Sequence, residues 1–75
     1  MRNYGIITVG QIIYELQRRG LPMKSAKAYR PTYYRKEQEL NLPKGEKNSA
    51  GWRKFSKKEM EIIIKKILKD ARIIT

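Results

Sequence analysis

Ser49-Ala-Gly-Trp-Arg-Lys-Phe-Ser-Lys-Lys-Glu59 holds the only Trp and the only Phe of this 75-residue chain. Trp52 and Phe55 enclose Arg53 and Lys54, and Lys57 and Lys58 follow at once. A core strand avoids such charge, and a solvated tail has no use for such rings. A short strand satisfies both if Trp52 and Phe55 anchor it while Arg53 and Lys54 face a polyanion. Ser56-Lys-Lys-Glu59 then fits the capping box, with Ser at the cap and Glu three residues on. Behind it Met60, Ile63, Ile64, Ile67, Leu68 and Ala71 keep helical spacing, with Lys57, Lys58, Lys65, Lys66 and Lys69 largely off that stripe. The segment therefore reads as a strand at Trp52–Phe55 running into a helix at about 56–73.

Upstream, residues 44–51 are polar and rich in turn formers, which reads as a hairpin loop with Gly51 easing the turn into the return strand. Asn41-Leu-Pro43 closes an earlier helix. Pro31 disfavours helix at Arg30 and suits the first turn of a new one, so that helix reads from Pro31 through Leu40. Tyr33 is expected in the core and Tyr34 at the surface. Residues 20–30 are ambiguous and read as a long link. Thr8-Val-Gly-Gln11 is a second capping box, Ile12, Ile13 and Leu16 follow on one face, and Gly20 with Pro22 stops the helix, which reads as 8–19. Residues 1–7 are an arm or a short strand. The order is helix, turn, helix, hairpin, helix: a mainly α chain with a small β-hairpin, one domain over 1–75, in the layout of a winged helix-turn-helix.

Composition narrows the function. With no Cys and no His the chain lacks a disulfide framework, thiolate metal ligands and the usual general base. The seven carboxylates show no oxygen-ligand spacing, and no phosphate loop is present, so the expectation is no enzyme, no cofactor and no metal. A net charge of +11 opposes compactness and so points to a polyanionic partner. No run is apolar for the ~18 residues of a membrane span, and no apolar signal core opens the chain, so the expected location is the cytoplasm, on the nucleoid, with no membrane partner.

Three stretches resemble a known family. Thr8-Val-Gly-Gln-Ile-Ile13 opens the first helix, Pro31-Thr-Tyr-Tyr-Arg-Lys-Glu-Gln-Glu-Leu-Asn-Leu-Pro43 leads to the wing, and Gly51-Trp-Arg-Lys-Phe-Ser-Lys-Lys-Glu-Met60 leads to the last helix. Together, over about residues 6–70, they resemble the MerR-type winged helix-turn-helix group, which includes phage and transposon excisionases. The resemblance implies that a Thr, here Thr32, begins the recognition helix, that Leu42-Pro43 closes it, and that Gly51 to Ser56 form the second wing strand and the next cap. It implies sequence-specific binding of double-stranded DNA, as a transcription regulator or an excisionase-like architectural factor.

The DNA-binding residues expected on this reading are Arg30 just before the recognition helix, Thr32, Tyr34, Arg35, Lys36 and Gln38 on it, and Lys44, Lys47, Trp52, Arg53 and Lys54 on the wing. Arg35 suits bidentate pairing with guanine and Gln38 with adenine, while the cations suit phosphates. One chain offers few contacts, which is compatible with a homodimer or a cooperative oligomer on DNA. The competing reading is a small basic RNA-binding or ribosome-associated protein whose Tyr and Trp rings stack on unpaired bases.

Overall fold

The computed structural model describes residues 7–47 and 53–73. Gly51, Trp52, Ile74 and the arm at residues 1–6 lie outside the described residues, and so do the expectations placed on them. The described chain is mainly helical, with three helices and one two-stranded antiparallel hairpin: α1 (Val9–Arg18), α2 (Ala26–Glu39), β1 (Glu46–Lys47), β2 (Arg53–Lys54) and α3 (Lys57–Asp70).

Each helix starts on a hydroxyl. The side chains of Thr8, Ser25 and Ser56 accept hydrogen bonds from the backbone N–H groups of Gln11, Ala28 and Glu59. Gln11 and Glu59 return the bond to the cap backbone, so both expected capping boxes form. Each helix also ends in one way. Gly20, Asn41 and Arg72 adopt positive φ, and the next residue donates its N–H back to a carbonyl of the last turn: Leu21 to Leu16, Leu42 to Glu37, Ile73 to Leu68. This is the Schellman arrangement, and its apolar residue after the turn, Leu21, Leu42 or Ile73, packs on the core. Arg72 explains why α3 stops at Asp70 rather than continuing to 73: the left-handed residue reverses the chain.

The second helix starts earlier than Pro31. Ser25 caps it, Ala26-Lys27-Ala28 propagate well, and Pro31 lies inside it. Pro31 is exposed, so the helix forgoes one hydrogen bond on its wet side, and the carbonyl left over can be hydrated. The link between the first two helices therefore shortens to residues 19–25, and Thr32 falls in mid-helix, not at its start.

The wing also differs in detail. Glu46 and Lys47, read as loop, form β1 and pair with Lys54 and Arg53. Phe55 is not in β2; it makes a single antiparallel bridge to Ile7, donating its N–H to the Ile7 carbonyl at 2.8 Å. The arm thus ends alongside the hairpin. The core gathers Val9, Ile12, Ile13 and Leu16 of α1 with Tyr33 of α2, Phe55 after β2, and Ile63, Ile64, Ile67 and Leu68 of α3. Helix α1 packs on both α2 and α3 and is the centre of the fold.

Candidate nucleic-acid interface

Helix α2 is an unusual element for so small a core. Of its 14 residues only Tyr33 and Glu37 are fully buried. Ala26, Tyr29, Thr32 and Lys36 are half-buried, as is the cap residue Leu40, and the rest of its surface is open. At 1.5 Å per residue the helix is about 21 Å long. Arg30, Tyr34 and Gln38 lie at i, i+4 and i+8, so they form one exposed row, with Lys27 beside it and Arg35 on the outermost side. No carboxylate stands in that row. Thr32 and Lys36 lie on the opposite flank. The Lys36 ammonium bonds Asp70 of α3 at 2.8 Å and Glu39 at 3.4 Å, and the Asp70 hydrogen bond raises its pKa. Lys36 joins α2 to α3, and its position separates it from the row it was expected to share.

The wing is fastened to the same side of α2 through a charged cluster. The buried carboxylate of Glu37 accepts a hydrogen bond from the Arg53 guanidinium, which also lies 5.4 Å from the centre of the Tyr34 ring. Tyr34 in turn meets Tyr33 edge-on, with centroids 5.7 Å apart. Strand alternation accounts for this geometry. Arg53 and Phe55 point inward together, and Lys54 between them points out. Arg53 and Lys54 therefore do not face a polyanion side by side: Arg53 is a brace between hairpin and helix, and its hydrogen bond to Glu37 raises its pKa further.

Cross-strand register then sorts the remaining wing cations. Lys47 stands opposite Arg53 and shares its face, on the α2 side, while Lys54 stands opposite Glu46 on the other face. Lys44, Lys47 and Lys54 are all exposed. Of these, Lys47 is the cation that the hairpin brings beside the Arg30–Tyr34–Gln38 row. The sequence reading missed Glu37. One of two Glu residues in a polar, charged helix gives no signal, although its place one turn after Tyr33 puts it on the buried stripe.

Tyr33 has a consequence at high pH. Its side chain is fully buried, and its hydroxyl has no hydrogen-bond partner among the described residues. Burial first, and then the Glu37 carboxylate, push its pKa above the ordinary value near 10. Folding therefore favours the neutral phenol. That contribution is complete below pH 10 and is lost as pH rises beyond it, at about 1.4 kcal/mol per pH unit. Urea midpoints measured from pH 9 to 11.5 should fall more steeply for the native protein than for Tyr33→Phe. The same variant should not lower stability at pH 7, since it removes a buried hydroxyl without a partner among the described residues.

No helix among the described residues is long and apolar enough to cross a membrane. Comparison of the chain with protein-family models, curated proteins and solved structures gives no match.

Proposed function

We propose that this chain is a winged helix-turn-helix protein of MerR-like, excisionase-like type that binds double-stranded DNA in a sequence-dependent way. The observation that carries the reading is the Glu37–Arg53–Tyr34 brace, which fixes the hairpin beside a carboxylate-free row on a helix that the core barely covers. A helix set on the surface in this manner can enter a major groove about 12 Å wide. Arg30 and Arg35 then suit guanine edges or phosphates, Gln38 suits adenine, and Tyr34 reaches the backbone through its hydroxyl. Lys47 meets flanking phosphate from the wing, with Lys44 and Lys27 extending the electrostatic footprint. Arg53 acts by holding Tyr34 and the hairpin in place. The protein acts as a transcription regulator or as an architectural factor in excision; both roles use this one surface.

The test is affinity for a duplex selected from a random pool, against random duplex competitor, over a series of salt concentrations. About four phosphate contacts give a slope near −4 in log K against log salt. Lys47→Gln should reduce that slope by about 0.9 and weaken all duplexes alike. Gln38→Ala should cost about 1–3 kcal/mol on the selected site and relax sequence preference. Equal affinity for every duplex contradicts sequence-dependent binding. Tighter binding of single-stranded RNA, lost on Tyr34→Ala, supports the RNA-binding alternative instead.

A further inference from the structure

A second surface lies away from α2. On α3, Ile62 is 38% exposed although its neighbours on the apolar stripe are buried. It stands on the wall of a groove of about 500 Å³ between α3 and the end of α1, with Ile64 and Leu68 forming the apolar floor. Arg19, just after α1, and Lys58 and Lys65 of α3 bracket that floor, with Glu61 the one carboxylate on the lining. Neither Lys58 nor Lys65 has an ion-pair partner among the described residues, whereas Arg19 leans on Glu15 at 3.5 Å. Lys58, Ile62 and Lys65 follow at i, i+4 and i+7, so one exposed apolar side chain sits between two unpaired cations on one helix face.

From this geometry we infer that the α1–α3 groove docks an acidic amphipathic helix of a partner protein. The apolar ridge of that helix covers Ile62, Ile64 and Leu68, and its flanking carboxylates meet Arg19, Lys58 and Lys65. The charge pattern selects this occupant. A second copy of the chain would bring another +11 charge against the same cations. A nucleic acid would pair with the lysines but leave Ile62 against a charged backbone, with no apolar area removed from water. A flat bilayer cannot reach the floor of a groove walled by Arg19 on one side and α3 on the other. An amphipathic helix laid in a groove satisfies floor and rim together. The inference does not depend on DNA binding, because none of these residues belongs to the α2–wing face.

The experiment uses the isotope-labelled full chain and a helix-forming peptide of about 18 residues, long enough to hold helix in isolation. The peptide carries Leu at i, i+4, i+7 and i+11 and Glu on both flanks. Controls are a scrambled peptide of the same composition, a duplex of random sequence and vesicles of anionic lipid. Amide shifts at Lys58, Ile62, Lys65 and Leu68 on adding the peptide, with affinity about tenfold above the scrambled control, are the expected result. Ile62→Asp and the pair Lys58→Glu with Lys65→Glu should each weaken the peptide by about tenfold or more. Both changes are at exposed positions, and helical circular dichroism should be retained; Ile62→Ser serves as a milder second variant. Equal binding of the scrambled peptide, no shift at the groove, or a stronger response of the same amides to duplex or vesicles overturns the inference.

Discussion

Glu37→Ala should lower the unfolding free energy by about 2–3 kcal/mol, read as a fall in the urea midpoint at constant slope. Three effects combine. The carboxylate is buried at the end of α2, and its removal leaves Arg53, whose side chain is only 23% exposed, as a part-buried cation without its anion. Lys47 stands directly across the hairpin from Arg53, and two like charges in that register repel once Glu37 is gone. The Arg53 contact with Tyr34 then also loses its orientation. The cost is set below the usual 3–5 kcal/mol of a broken buried pair because Arg53 keeps some contact with water. Replacing both partners with apolar residues, as Glu37→Leu with Arg53→Met, should recover most of the loss, since no uncompensated charge remains. A double-mutant cycle between Glu37 and Arg53 gives the coupling itself. DNA affinity should not recover with stability: the apolar pair restores folding, but it does not restore the guanidinium that orients Tyr34.

Gly45→Ala should be the most damaging glycine-to-alanine change among the described residues, at about 3 kcal/mol. Gly45 has φ +73°, where an L residue costs about 1–2 kcal/mol. A Cβ there would also lie 2.7 Å from the Lys54 carbonyl and 3.0 Å from the Phe55 ring. Neither neighbour can withdraw freely, because the carbonyl belongs to β2 and Phe55 is 2% exposed in the core. For a domain of this size about 3 kcal/mol corresponds to a fall in Tm of more than about 12 °C. Gly20→Ala separates the two causes, for Gly20 also has positive φ but nothing within 4 Å of its Cβ. It should lose only the conformational share. If Gly45→Ala costs no more than Gly20→Ala, the close approach of the wing to Gly45 is not what holds the hairpin.

The elements with local signals were readable in the sequence. Two capping boxes, at Thr8 and Ser56, and the spacing of Ile12, Ile13, Leu16 and of Ile63, Ile64, Ile67, Leu68 locate α1 and α3 because caps and periodicity are properties of consecutive residues. Tyr33 in the core and Tyr34 at the surface followed from the same periodicity. Helix α2 was harder. Its apolar stripe is one ring and one carboxylate deep, and Pro31 argued for a boundary that Ser25 and the exposed position of the proline override. The partition of the wing cations was not readable at all, since it depends on the register of β1 against β2 and on Glu37 reaching across from another element. Gly45 was equally silent: its necessity comes from Lys54 and Phe55 meeting it in space. The opening stretch thus keeps its strand-to-cap reading from Arg53 to Glu59, with one change of role. Arg53 holds the wing to the helix, and Lys47, opposite it on the other strand, is the exposed cation on that same face.

The most direct measurement is an amide-shift titration of the labelled protein with a selected duplex. Binding through the proposed surface predicts the largest shifts at Lys27, Arg30, Tyr34, Arg35, Gln38 and Lys47, with Lys58, Ile62 and Lys65 unmoved. Shifts centred on α3, or a uniform weak response over all lysines that vanishes with modest salt, would contradict it.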